Sequence, residues 1–424
     1  MADSAIALDD SRYEELFQIE GSAERSGSGV VDDPYPIWAE LRAKAPVHRG
    51  SLAQCMGLPG EGLSAPGAVQ YSVLSFAAVS EVFTRKDDFS SESYIDIGVS
   101  HKLGDSILNM DGRRHRSLRD VIQPHFQPAN AEGWWNEIVI APLVKEFIDK
   151  FADQPGVDLN AHFFARLPMH TVTTGFGMSP QQGLEFRGYM LRAFDYTRTT
   201  AEVTEATNAA GELLAGVIAE RRLEPRDDLI SKLAHATLEE ADGTSRPLTT
   251  EEIASYCRLI VFAGGETTWR QLGIATFALM THPEQMEEVR RDRSLLTNAI
   301  LESTRWNPDP LFYRKVIRDT VLQGVELPKG ALLNVCTGAA NRDPTRWEDP
   351  DRFDIHRPIQ RSTAFAAGAH SCLGQHVARQ EIASAINGLL DRFPNLRWDP
   401  AYPPAKLTGS LVARGPGPMH VLLH

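Results

Sequence analysis

Apolar residues recur at helical spacing along most of the stretch from about 113 to 306, so the pattern predicts a mostly helical body. The clearest case begins at Thr249, which with Glu252 forms a capping box ahead of an apolar run over 253–280. That run predicts one helix of roughly 30 residues. A shorter helix is expected over 38–44, and strand signals stand near Val47 and over 69–73. Beta-branched runs return over 313–335 and near the C-terminus and predict a minor β part. Over 88–109 Ser, Gly, Ile and Asp mix without period, which reads as a long surface loop of the kind that usually carries function. Pro and Asp cluster over 341–358 and predict an irregular segment. The glycine- and serine-rich stretch 21–29 reads as a tether inside a flexible segment 1–32. The expected fold class is therefore mainly α with a minor β part, in a single domain over 33–424.

Composition narrows the function classes. The chain has 424 residues, enough to enclose a buried cofactor, and 42% of them are hydrophobic. A net charge of −13 speaks against nucleic acid as a partner. Cys55, Cys257, Cys336 and Cys372 lack paired spacing, so no disulfide framework or zinc ribbon follows, and a reducing cytoplasm is expected. The first 20 residues lack a basic start and an apolar run, and nowhere do about 18 apolar residues follow one another. No membrane association is expected.

Two segments carry candidate chemistry. The predicted long helix contains AGGETT at 263–268, where two adjacent glycines should each cost about 1 kcal/mol relative to Ala. Close packing against another helix would explain them; so would a flat ligand passing where side chains would otherwise stand. The Thr267 hydroxyl can bond the carbonyl of Ala263, four residues back, and loosen the turn. Glu266 beside it places a titratable group in an apolar stretch, and an acid with an alcohol in a widened turn suits proton delivery. The second segment, FAAGAHSCLG at 365–374, precedes a helical pattern over 375–393. Cys372 would thus lie just before a helix N-terminus, where free N–H groups and the dipole favour a thiolate. A lone cysteine is more commonly a buried structural one, and this segment alone leaves both readings open.

Phe365, Gly368, His370, Cys372 and Gly374 resemble the haem-binding signature of the cytochrome P450 superfamily. That signature normally has Gly where this chain has Ala366, which would narrow the loop on the thiolate side without preventing ligation. Ala378, Arg379 and Glu381 continue the pattern, and 263–268 resembles the family's oxygen-activating motif. The family's Glu-x-x-Arg pair maps by position onto Glu302 and Arg305, with Asn341, Arg342, Asp343, Phe353 and Arg357 in the segment it braces. Glu287/Arg290 and Glu288/Arg291 match the same spacing and read as surface pairs. Such a buried pair holds structure, and breaking it should cost roughly 3–5 kcal/mol.

The resemblance, over about 33–424, implies a triangular, mainly helical fold with small β-sheets. Haem b would lie between the long helix and the cysteine loop, with Cys372 as its metal ligand, and a cysteinate ligand favours O–O cleavage. His115, Arg119, Arg314 and His370 would serve the propionates, which are costly to bury unpaired. Glu266 and Thr267 would be the catalytic pair. The implied activity is monooxygenation of a small apolar organic substrate (terpenoid, steroid or aromatic) by O2. Electrons would come from NAD(P)H through a ferredoxin-type donor with a separate reductase. Peroxide-driven peroxygenation and non-catalytic haem sensing are the competing readings; neither calls for an acid–alcohol pair. Tyr94, Ile97, Phe262, Leu311, Phe312 and Leu411 are the expected pocket walls, with Tyr94 or Ser410 placed to orient a polar group. Arg113 and Arg116, facing away from His115 and Arg119 on one helix, would meet the electron donor.

Overall fold

The computed structural model describes residues 11–18, 30–58, 67–240, 242–309 and 311–424, so the expected tether at 21–29 lies outside the described residues. The frame is a 32-residue helix, Thr250–Thr281, and Thr249 caps it as expected. The Thr249 hydroxyl accepts from the N–H of Glu252 at 3.1 Å, and the Glu252 carboxylate accepts from the N–H of Thr249 at 2.8 Å. Most of this helix is buried, because other helices surround it: Leu167–Gly175, Thr200–Leu223, Leu295–Trp306 and Gln375–Arg392 all pack on it. Its apolar residues accordingly run almost all round, as expected of a helix inside a core. No described helix is long and apolar enough to cross a membrane.

The β part is small. Five strands pair in the order Val47–Arg49, Gln70–Val73, Leu332–Cys336, Leu311–Val316 and Phe89–Ser90. Only Gln70–Val73 and Leu332–Cys336 run parallel. In this register Arg314 lies opposite Leu333, which fixes Arg314 at the sheet edge of the cavity described below. The segment over 341–358 contains no helix or strand. Arg305 stands in for its missing ladder, donating to the carbonyls of Asn341, Pro350 and Arg352 while pairing with Glu302 at 2.7 Å. Glu302 also accepts from Arg357 at 3.1 Å and from the N–H of Asp354. In neither alternative pair do the two partners bond each other: Glu287 meets Arg291 at 3.8 Å on the surface, Arg290 donates to the Pro394 and Leu396 carbonyls, and Glu288 bonds His356.

Two expectations need correction. The first is that 1–32 is a flexible segment: residues 11–16 form a helix, and Tyr13 and Phe17 are buried in the main core. A tether reading of the whole stretch overlooked this single aromatic turn. The second is the loop over 88–109, which contains the strand Phe89–Ser90 and the helices Ser93–Asp96 and Ser100–Leu103. Its polar residues hide the periodicity because they fasten the chain to itself. Asp111 accepts from the Ser90 hydroxyl and the Ser91 N–H, and Asn109 bonds Ser100, Gly104 and Ser106.

Candidate active site

A cavity of about 810 Å3 separates the long helix from the cysteine loop, and Cys372 opens into it. The loop is held by backbone geometry. The Cys372 N–H donates to the Phe365 carbonyl at 2.9 Å, Ala366 has φ +54° and Gly368 has φ +71°. Gly368 is required twice over, since a Cβ there would lie 2.5 Å from the Phe83 carbonyl oxygen. Gly374 is different: its φ is −86° and its missing side chain leaves open space. The helix Gln375–Arg392 starts directly after it. Burial pushes the Cys372 thiol up, while the N–H groups of Gly374 and Gln375 and the guanidinium groups of Arg119 and Arg379 pull it down. The expected helix-terminus support is present, and burial outweighs it.

The opposite wall comes from the long helix. Ala263, Gly264 and Thr267 line the cavity, and the Thr267 hydroxyl donates to the Ala263 carbonyl at 2.7 Å, as expected. The turn does not widen: the helix remains α throughout. Gly265 is buried, where its Cβ would stand 3.8 Å from Met169 Sδ, while Gly264 borders the cavity. Glu266 is not in an apolar setting. It accepts from Trp269 Nε1 at 3.1 Å, pairs with Arg270 at 3.1 Å and has Arg187 at 3.7 Å. Burial alone would raise its pKa, but Arg270 and Arg187 hold the carboxylate below its usual range.

Cationic and donor groups ring the cysteine side. Arg119 and Arg314 line the cavity, and Arg119 also donates to the Ser371 carbonyl at 2.7 Å. His115 does not line the cavity: it is buried beside His370, with ring centroids 4.2 Å apart, and among the described residues its Nε2 has no hydrogen-bond partner. Burial, then the charges of His370 and Arg119, push His115 down to about 4. His370 already has a partner, Asp111 Oδ1 at 2.8 Å, which the sequence reading missed. Burial would raise Asp111, yet its bonds from His370 and Ser90 bring it to about 2. Two arginines, a histidine, a thiol and a helix wall bare of large side chains suit a flat dianionic iron porphyrin. Haem fits these residues.

Tyr94, Ile97, Phe262, Leu311 and Phe312 line the same cavity, and Phe262 stacks on Phe194 at 4.2 Å. Leu411 does not. It is buried with Tyr35, Trp38 and Leu52 in a separate cluster, and Val412 and Ala413 form the wall instead. The cause is local: the Ser410 hydroxyl accepts from the N–H groups of Val412 and Ala413, and this tight turn carries Leu411 to the other side. Ser410 is itself fully buried in this turn and does not line the cavity. Asp309 also faces the cavity, and burial pushes it up to about 6. Its place just before Leu311 was a signal within reach of sequence reasoning. Arg187, on the helix Pro180–Ala193, offered none.

The family described as Cytochrome P450 matches residues 186–422. Cytochrome P450 107B1 of Saccharopolyspora erythraea is 33% identical over 321 residues, which cover 75% of this chain and 77% of that protein. Among solved structures, a Bacillus megaterium cytochrome P450 in complex with testosterone is 26% identical, with a TM-score of 0.78 over 92% of this chain and 99% of that one. The Bacillus subtilis bacillaene polyketide synthase cytochrome P450 is 25% identical, with a TM-score of 0.80 over 96% of this chain and 99% of that one.

Proposed function

The chain belongs to the cytochrome P450 monooxygenase family, whose members bind haem, and from that premise we propose a hydroxylation: RH + O2 + 2 e− + 2 H+ gives ROH + H2O. The observation that carries this reading is one cavity lined by the Cys372 thiol on one side and by Glu266 and Thr267 on the other. Haem, when bound, supplies the redox chemistry that activates O2. This chain's residues do the rest. Cys372 Sγ would hold the haem iron, its thiolate supported by the N–H groups of Gly374 and Gln375. Arg119 and Arg314 would meet the propionates from the cavity wall, as would His370, held in place by Asp111, with His115 packed beside it. Thr267 holds a hydroxyl at the cavity wall, and Glu266 relays protons to it from the Arg187 and Arg270 side.

The substrate is a small, largely apolar compound of terpenoid, steroid or aromatic type, packed on Ile97, Phe262, Leu311 and Phe312. A relative that binds testosterone supports the steroid class. Electrons arrive from NAD(P)H through a separate reductase and a ferredoxin.

Two variants test the reading. Cys372→Ala should remove the red-shifted Soret band of the reduced CO adduct, even if apolar contacts retain haem; a surviving band refutes the ligand. Thr267→Ala should keep haem and continue to consume NAD(P)H while product falls and peroxide rises. Unchanged coupling there removes Thr267 from proton delivery.

A further inference from the structure

The aromatic turn at the N-terminus reaches the active site. Tyr13 bonds His170 Nε2 at 3.1 Å, and Phe17 stacks on the same imidazole with ring centroids 5.6 Å apart. Glu14 receives both of its bonds, at 2.7 and 2.9 Å, from the fully buried Arg166. These contacts fix the turn, and residues 15–18 then line the cavity that contains Glu266 and Cys372.

The turn also grips one cation. Arg187 Nε donates to the Leu16 carbonyl at 2.6 Å, and its guanidinium lies 4.3 Å from the centre of the Phe17 ring. The same guanidinium reaches Glu266 at 3.7 Å, on the side of the carboxylate away from Arg270 Nη1 and Trp269 Nε1, which bond the other oxygen. Arg187 therefore spans the N-terminal turn and the acid. A carbonyl and an aromatic face are directional partners for a guanidinium, so they select one rotamer of a long side chain that otherwise loses considerable entropy when ordered.

We propose that residues 13–18 are a positioning element of the active site, holding Arg187 against Glu266 and walling the cavity beside that carboxylate. This rests on the reading of Glu266 as the proton-relaying acid. Without the turn, Arg187 loses its carbonyl and its aromatic platform, and water reaches Glu266 from the side it now closes. None of these residues is a catalytic residue; they act through Arg187.

The test uses the haem-loaded enzyme with a surrogate ferredoxin, its reductase and testosterone as the probe compound. Four variants are compared with the wild type: a chain lacking residues 1–18, Phe17→Leu, Phe17→Tyr and Glu266→Gln. One readout is amide hydrogen exchange over 183–193 and 263–270; the other is the solvent isotope effect on NADPH oxidation. Truncation and Phe17→Leu should speed exchange severalfold in both segments and alter the isotope effect, while Phe17→Tyr, which keeps the ring face, restores both. An isotope effect that Glu266→Gln leaves unchanged overturns the reading of Glu266, and the proposal with it. An effect altered by Glu266→Gln but not by truncation or Phe17→Leu overturns the proposal alone. If the truncated chain does not load haem, the Phe17→Leu and Phe17→Tyr pair decides on the same two readouts.

Discussion

Ala366 occupies a backbone conformation that L-residues avoid, with φ +54°, at the position where the family signature has glycine. Its Cβ costs roughly 1–2 kcal/mol there, partly offset because Ala loses less chain entropy than Gly on folding. Ala366→Gly should therefore stabilise the haem-loaded protein by about 0.5–1 kcal/mol, with the CO spectrum unchanged. Urea unfolding at matched haem content measures this, and a lower midpoint in the variant would show that the Ala366 methyl contributes more packing than its strain costs. The departure from the signature was readable in the sequence; the left-handed conformation that the loop imposes on Ala366 was not. Gly368 was readable as a turn residue, but its second constraint, the Phe83 carbonyl, comes from a strand-side helix far away in the chain. Single-residue roles were legible where a local motif carried them. They were hidden where the partner lies hundreds of residues off, as with His370 and Asp111.

At the scale of elements, the long helix was legible because its capping box and its apolar run are both local signals. The cluster around Arg305 was legible only by its position in the chain, since three Glu-x-x-Arg spacings compete in sequence; in the fold Glu302 and Arg305 are both buried and paired. Glu302→Ala leaves Arg305 and Arg357 facing five backbone carbonyls with no counter-charge, which should cost roughly 3–5 kcal/mol. Little haem-containing protein should be recovered; full haem content and an unchanged melting temperature would contradict that role. The contact between helices Gln375–Arg392 and Leu167–Gly175 contains an acid on the buried stripe that also carries Val377, Ile382 and Ala385. Glu381 is 3% exposed, its one hydrogen bond among the described residues comes from the Thr171 hydroxyl at 2.8 Å, and burial pushes it up to about 8. Its folded pKa lies above its unfolded value of about 4.3, so the native state binds the extra proton between the two. The stability this gives is complete below about pH 4 and is lost as pH rises toward 8. Asp309, raised to about 6, acts in the same direction over a lower window. Glu381→Gln should thus melt close to the wild type at pH 5 and increasingly above it toward pH 9. A melting difference independent of pH would mean that Glu381 is ionised in the folded protein.

For the whole molecule, charge is distributed unevenly. The chain carries −13 overall, yet the helix Gly112–Ile122 reads GRRHRSLRDVI and turns His115 and Leu118 inward. Arg113, Arg114 and Arg116 are exposed on its outer side, and Arg114 is drawn toward Glu252 at 3.4 Å. The same helix presents Arg119 to the carbonyl of Ser371, next to Cys372, so its outer face lies a short path from the proposed iron ligand. A cationic patch at that place would steer an acidic ferredoxin to it, and the attraction would weaken as salt shortens the screening length from roughly 30 Å at 0.01 M to 3 Å at 1 M. Reversing Arg113 and Arg116 to Glu leaves the inward face untouched, so substrate affinity should remain as in the wild type. Reduction by an acidic ferredoxin, followed by stopped flow as the reduced CO complex forms, should slow strongly at low ionic strength, and the deficit should shrink as salt rises. A deficit that persists at high salt would point to lost packing rather than lost steering. Equal rates at low salt would place the donor on another face of the molecule.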